Sequence, residues 1–198
     1  MSDAATQRWG GHILEAALQV IAEEGFAAVS MRGVAAAAGV SLAQVQYYFR
    51  SKDELLAAAF EHVSHEVVAQ ASTIDTSGPP QEVLRALLHL WLPMDEPRVR
   101  TARVWLAFTA AAVTSPDLGA RNAAVDQDLR AHFAALLTEA RTRGELRTDL
   151  DIDGEATLLL AVVDGLVVQA LTRPPAERAD LLVAGLDTHL NRLFATHP

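Results

Sequence analysis

The spacing of apolar residues along the chain sets its fold class. Apolar side chains recur every three to four residues through most of the sequence, and no convincing run alternates with a period of two. One such stripe comprises Ile13, Leu14, Ala17, Leu18 and Ile21. We therefore predict an all-α protein.

Capping residues, glycines and prolines divide this pattern into separate helices. Gly25 is expected to end the first helix in the left-handed conformation. Ser30 and Ser41 are expected N-caps of two short helices, and Ser51-Lys52-Asp53-Glu54 matches a capping box. The predicted helices cover about 7–24, 31–38, 42–49, 51–72, 81–92, 98–113, 117–143, 154–172 and 176–195.

The composition changes after the fourth predicted helix. Residues 73–80 read TIDTSGPP, and their Gly, Pro, Ser and Thr content predicts a loop. We predict an N-terminal three-helix domain over 1–50 and a C-terminal helical domain over 51–198, with the helix over 51–72 connecting the two.

Composition restricts the class of protein. The chain has 198 residues, 51% of them hydrophobic, and it has no cysteine, which excludes disulfides and thiolate metal sites. The segment around Asp3 has no apolar run, so we expect no signal peptide. The longest apolar stretch, 156–171, is interrupted by Asp164 and Gly165 and is shorter than the ~20 residues of a bilayer span. We expect a soluble cytoplasmic protein with no membrane partner.

The net charge of −9 does not favour DNA binding. The first 56 residues hold four cations and six anions, giving −2, and the remainder holds 12 and 19, giving −7. The N-terminal part is therefore less acidic but not basic. Three of its four cations fall between Arg32 and Lys52, so local placement has to supply what the net charge does not.

The segment 31–49, MRGVAAAAGVSLAQVQYYF, carries the strongest functional signal. Two short helices flank Gly39, which can adopt the positive φ of a tight turn, and Ala35 and Ala38 are small enough for the helices to cross closely. The positions that should point inward are Val34, Val40, Val45 and Tyr48. This spacing is typical of a helix-turn-helix, whose second helix enters the major groove. Two ordinary core helices are the alternative at this point.

Residues from about 13 to 60 resemble the DNA-binding head of the TetR family of repressors. The matching segments are Glu24-Gly25-Phe26, Val29-Ser30-Met31-Arg32, Val34-Ala35, Ala38-Gly39-Val40-Ser41, Tyr48-Phe49 and Ser51-Lys52-Asp53-Glu54-Leu55-Leu56. The chain length and the helical remainder are also similar to that family. The resemblance implies a transcriptional regulator, not an enzyme, that a small-molecule ligand releases from its operator. It also implies a homodimer joined through the last two helices, a pseudo-palindromic double-stranded DNA operator, and a ligand-binding and dimerisation role for 51–198.

The candidate DNA-binding residues cluster in and around the third predicted helix. Gln46 and Tyr47 are the leading groove contacts, and Gln44 either reads a base or turns back to the backbone of Ser41 as a capping box. Lys52 would reach a phosphate from the start of the fourth helix. Further backbone contacts are expected from Ser30, Arg32, Ser41 and Tyr48. The family commonly has a phosphate-contacting tyrosine where this chain has Gln46, and glutamine can donate to phosphate or read an adenine edge.

The candidate effector-binding residues are large aromatics in the C-terminal part. Trp91, Trp105 and Phe108 fall on two middle helices, and Phe133 is a possible neighbour. Such residues line small-molecule cavities, although they also build plain cores. A mostly apolar or aromatic effector would suit them. The stretch 158–171 is apolar on more than one face, as expected for a helix buried on two sides in a dimer. We expect no cofactor and no metal.

Two other functional classes remain open. His62 and His65 stand three residues apart, flanked by Glu61 and Glu66, so a helical metal-dependent enzyme or carrier is one alternative. The pattern does not match HExxH, and a solvated helix surface is the simpler interpretation. The second alternative is a DNA-binding regulator with no small-molecule effector.

Overall fold

The structure is a computed structural model that describes residues 3–25 and 29–194, with side chains described over 10–25 and 29–194. Within these ranges the chain forms nine α-helices and no strand, which confirms the all-α prediction. They are α1 (Asp3–Glu24), α2 (Met31–Ala37), α3 (Leu42–Tyr48), α4 (Lys52–Ala71), α5 (Pro80–His89), α6 (Glu96–Ala112), α7 (Pro116–Thr142), α8 (Ile152–Leu171) and α9 (Pro175–Leu193). Phe26 and Ala195, which the sequence analysis used, lie outside the described residues.

The helix ends follow the predicted caps. Gly25 has a φ of 80° and its N–H donates to Ile21 O at 3.0 Å. Ser30 Oγ accepts the N–H of Gly33 at 3.0 Å, which caps α2. The box at the start of α4 differs in one partner, because the Glu54 carboxylate accepts the N–H of Arg50 at 2.7 Å. The local sequence therefore fixes where these helices begin and end.

The fifth helix is shorter than predicted and ends at His89. The N–H groups of Leu90 and Trp91 donate three residues back, to Leu87 O and Leu88 O at 3.1 Å. This tight turn precedes Pro93, which disfavours a helical conformation in the residue before it. Trp91 therefore lies in a turn, and its predicted place on a helix is wrong.

Helix α8 is longer than the apolar stretch that the sequence analysis marked. It starts at Ile152 and has 20 residues, so by length and composition alone it would suffice to cross a membrane. It packs instead on α9, where Leu166 lies over Gly185. A Cβ added to Gly185 would stand 2.5 Å from Leu166 Cδ2, so the glycine permits the close approach of the two helices.

The chain forms two compact units, each made of separate segments. The first comprises 1–66 and 100–120, and the second comprises 67–99 and 121–198. The functional division into a DNA-binding part over 1–50 and a ligand-binding and dimerisation part over 51–198 stays a prediction, because compactness groups helices by their packing and not by their partners.

The first unit has a core that includes part of α6. Ile13, Val34, Val45 and Leu55 are completely buried. The rings of Phe60 on α4 and Phe108 on α6 stack in parallel, with centroids 4.0 Å apart. The polar residue Arg103 on α6 donates from Nη1 to Ala22 O at 2.7 Å, near the end of α1. The three N-terminal helices are thus packed in one unit with a segment of the chain that follows much later.

The second unit is organised around α8 and α9. Leu159 on α8 and Leu182, Leu186 and Leu190 on α9 are fully buried. An ion pair joins Arg85 on α5 to Asp187 on α9, with Nε and Oδ1 3.1 Å apart. The apolar stripe of α9 therefore lies inside this unit, while parts of α8 stay exposed.

Candidate nucleic-acid interface and effector-binding residues

The turn between α2 and α3 is built from backbone hydrogen bonds. Gly39 has a φ of 65°, as the sequence predicted. Its N–H donates to Ala36 O at 3.2 Å, and the N–H of Val40 donates to Ala35 O at 3.0 Å. This pair of bonds is a Schellman motif, which satisfies carbonyls that the end of α2 would otherwise leave unpaired. The chain then leaves in the direction of Ser41, the N-cap of α3.

Helix α3 has one buried edge and one exposed face. Val45 is fully buried and Phe49, its C-cap, is nearly so. Gln46 and Tyr47 are exposed, and the Tyr47 side chain is 74% accessible. The ring of Tyr48 is half-buried and meets that of Tyr47 edge to face, with centroids 5.1 Å apart. The two leading groove candidates are therefore available to a partner of the first unit.

The proposed capping box of α3 forms only in part. Ser41 Oγ accepts the N–H of Gln44 at 3.1 Å. Among the residues that the structure describes, no hydrogen bond returns from the Gln44 amide to the backbone of Ser41. The half-buried Gln44 side chain keeps its donors and acceptor for other partners.

The candidate phosphate-binding residues lie at helix starts. Ser30 and Ser41 use Oγ as an acceptor in their caps, so each hydroxyl proton can still be donated. Arg32 is exposed in the first turn of α2, and Lys52 is the half-buried first residue of α4. The N-terminal ends of helices attract phosphate through free N–H groups and the helix dipole.

The four aromatic residues predicted to bind an effector fall in different units. Trp91 and Phe133 belong to the second unit and meet edge to face, with centroids 5.7 Å apart. Trp105 and Phe108 belong to the first unit, where Phe108 is stacked on Phe60. The contact with Phe60 was not foreseen. The only indication in the sequence was the aromatic residue Phe60 within the fourth predicted helix.

Two carboxylates in the second unit, which the sequence did not indicate as functional, have raised pKa values. Burial raises the pKa of Asp164 on α8 to about 6, and the negative charge of Asp126 on α7 adds to this rise. The pKa of Asp126 is also raised by burial, and Arg130 partly offsets that rise. The corresponding feature of the sequence is a single acidic residue within the apolar run 156–171.

Two histidines of the second unit are disfavoured in the charged form. Burial lowers the pKa of His89 on α5, while Asp187 opposes that change. Burial also lowers the pKa of His189 on α9, with Glu155 opposing it. The Nε2 atoms of both rings are buried, and neither has a hydrogen-bond partner among the residues that the structure describes. These groups therefore favour the neutral imidazole.

The histidine pair of α4 does not come together as a site. His62 Nε2 lies 3.3 Å from Glu15 Oε1 on α1 and 3.6 Å from Glu66 Oε1, whereas His65 is exposed. Over the described parts of the chain, no group of three His, Asp or Glu residues is arranged to hold a metal ion. The contact with Glu15 instead links α1 to α4.

Comparison with known proteins places both parts of the chain in one family. The model of bacterial regulatory proteins of the tetR family matches residues 13–59, and that of the BetI-type transcriptional repressor C-terminal region matches 80–195. The HTH-type transcriptional regulator PksA of Bacillus subtilis (strain 168) is 33% identical over 184 residues, 91% of this chain and 87% of that protein.

Solved structures agree with these matches. A transcriptional regulator from Rhodococcus sp. Rha1 aligns with a TM-score of 0.84 and 33% identity, over 93% of this chain and 95% of that one. A regulator from Saccharomonospora viridis in complex with choline aligns with a TM-score of 0.77 and 27% identity, over 94% and 95%. The chain therefore belongs to the TetR family and is a DNA-binding transcriptional regulator with a C-terminal region of the BetI type.

Proposed function

We propose that this regulator is a cytoplasmic repressor that binds a pseudo-palindromic double-stranded operator as a homodimer and leaves it when a small molecule binds. The observation that carries the proposal is the two-sided character of α3, because Val45 and Phe49 anchor it while Gln46 and Tyr47 face outward. Two such helices would read half-sites about 34–36 Å apart, or a multiple of that spacing.

Each exposed side chain has a distinct proposed role. Gln46 reads an adenine edge or holds a phosphate, and Tyr47 and Gln44 contact bases in the groove. The backbone contacts come from Ser30, Arg32, Ser41, Tyr48 and Lys52. In this scheme specificity depends on α3, and affinity depends on the surrounding cations and hydroxyls.

The test is selection of bound duplexes from random DNA, followed by binding titrations of variants. Gln46→Ala and Tyr47→Ala should each weaken binding to the selected duplex by about fivefold or more, since base contacts are worth about 1–3 kcal/mol. Gln127→Ala removes the same amide from an exposed position on α7 and is the matched control. Selection of no common sequence by the wild-type protein would contradict the proposal.

The homodimer is supported by the exposed face of α8. In a single chain Leu158 is 54% exposed and Val168 39%, and most of the apolar helix α8 is not buried. A second copy placed on this face would bury it. Leu158→Arg should yield a monomer in analytical ultracentrifugation, whereas Thr157→Arg on the neighbouring exposed position should weaken association less. A Leu158→Arg dimer as tight as wild type would place the interface elsewhere.

The effector is proposed to bind in the second unit. Choline, which is bound in the relative from Saccharomonospora viridis, is the first probe. The Trp91 ring beside Phe133 and the two carboxylates Asp126 and Asp164 favour a cation over an anion. Titration of the DNA complex with choline and with its neutral carbon isostere, 3,3-dimethylbutanol, tests this preference. Release by neither compound excludes choline as the effector, and equal release by both argues against the role of charge.

A further inference from the structure

We propose that His12 on α1 is a positioning residue for DNA recognition, which acts by holding the turn that orients α3. This inference rests on the proposed operator binding. His12 Nε2 lies 2.9 Å from Ala38 O, the carbonyl of the residue that caps the end of α2. Because a carbonyl oxygen only accepts, the imidazole must carry its proton on Nε2 and donate it.

The acceptor belongs to the peptide group at the pivot of the turn. Ala38 O and the N–H of Gly39 are the two ends of one planar peptide. The Gly39 N–H donates to Ala36 O at 3.2 Å, and Ala38 O accepts from His12 at 2.9 Å. Both ends of this peptide are therefore hydrogen-bonded. These two bonds fix the orientation of the peptide plane, and with it the positive φ of Gly39. Ser41, the N-cap of α3, follows three residues after Ala38.

The same part of α1 also packs against the C-terminal end of α3. A Cβ built on Gly10 would lie 3.5 Å from Tyr48 Cδ1, so the Tyr48 ring packs against the backbone of Gly10. His12 follows two residues later and supports the turn in front of α3. The N-terminal half of α1 thus supports α3 at both ends, and at the turn it does so through the hydrogen bond from His12 to Ala38 O.

The loss of this bond should reduce specific binding without a matching loss of non-specific binding. A partly buried side-chain hydrogen bond of this kind is worth about a fivefold change in a conformational equilibrium. Because both heads of a dimer must be oriented together, we expect operator binding to weaken by about 25-fold. Binding to a scrambled duplex depends on phosphate charge and should change by less than about twofold.

The experiment compares three variants on the duplex that the wild-type protein selects from random DNA and on a scrambled duplex of equal length. His12→Leu removes the donor, and His12→Gln keeps an amide donor at a similar reach. Gln19→Leu is the control, because Gln19 is exposed on the same helix and its amide donates to Glu23 Oε1 at 3.0 Å, away from the turn. Titrations are referred to the active protein concentration, so that a change in the folded fraction does not count as a change in affinity.

The expected result is a selective loss of operator affinity in His12→Leu, near-wild-type binding in His12→Gln, and no change in Gln19→Leu. Three results would overturn the inference: wild-type affinity in His12→Leu, an equal loss on both duplexes, or an equal loss in His12→Gln and His12→Leu. If His12→Leu does not fold, His12→Asn, whose amide is too short to reach Ala38 O, takes its place.

A second readout separates this inference from the proposed function. Amide hydrogen exchange at Gly39 and Val40 should accelerate in His12→Leu and not in His12→Gln, whether or not an operator is found. If the wild-type protein selects no duplex, the proposed function fails while this exchange measurement still tests the role of His12. Unchanged exchange at both amides would show that His12 does not hold the turn.

Discussion

Replacing Asp164 with asparagine should stabilise this protein at neutral pH. The carboxylate lies half-buried on α8, and burial together with the charge of Asp126 raises its pKa from 3.8 to about 6. A difference of that size corresponds to about 3 kcal/mol at a pH above both values. Because part of the side chain still reaches solvent, screening reduces the gain expected for Asp164→Asn to about 1–2 kcal/mol.

The pH dependence of this gain tests whether it comes from the raised pKa of Asp164. The folded state binds the Asp164 proton more tightly than the unfolded chain, so the carboxylate begins to destabilise the fold as the pH rises above 3.8 and does so fully above about 6. The advantage of Asp164→Asn should therefore be complete at pH 7 and nearly absent at pH 4.

Urea unfolding at fixed protein concentration, at pH 7 and at pH 4, measures the effect. Asp128→Asn, an exposed change on α7, should stay within about 0.5 kcal/mol of wild type. Since Asp126 contributes to the raised pKa, Asp126→Asn should reduce the gain from Asp164→Asn, and the two changes should not add. A variant no more stable than wild type at pH 7, or equally stabilised at both pH values, would refute the reasoning.

Three further predictions concern the turn, the phosphate contacts and the histidines. Gly39→Ala should destabilise the first unit by about 1–2 kcal/mol in thermal unfolding, because its φ of 65° is strained for alanine although there is space for a Cβ; an unchanged midpoint would contradict this. With Arg32 and Lys52 as the cationic contacts of each head, the logarithm of operator affinity should fall with the logarithm of salt concentration with a slope of about −4 per dimer, and a slope beyond about −8 would reveal missing contacts. The pKa values of His89 and His189 are lowered in the folded state, so the unfolded chain binds more protons and stability should fall as the pH drops through 6.5. His89→Gln should flatten that loss between pH 7 and 5, and an unaltered pH profile would rule out His89 as its source.

Much of the first unit could be predicted because the residues that set its helix ends and its turn act on neighbouring backbone groups. Ser30, Gly39 and Ser41 act on backbone groups within three residues, so sequence alone placed the caps and the turn. The stack of Phe60 on Phe108 and the bond from Arg103 to Ala22 could not be predicted in this way. They join residues 48 and 81 positions apart, and spacing carries no information on such pairs.

The effector-binding residues could not be predicted reliably either, because residue type does not determine whether a side chain lines a cavity. Aromatic composition selected Trp91, Trp105, Phe108 and Phe133, but side chains of one type serve either a cavity or a core. The role of Asp164 depends on what surrounds it, namely burial and the charge of Asp126 from a different helix. Periodicity had marked that position only as a break in an apolar run.

The discontinuous first unit has a consequence for synthesis on the ribosome. Phe108 and Arg103 are translated long after the helix-turn-helix, yet they complete the packing of the unit that contains it. We expect a nascent chain to acquire a stable head only after residue 120 has left the exit tunnel. Prematurely terminated chains would then not compete with intact protein for chromosomal sites.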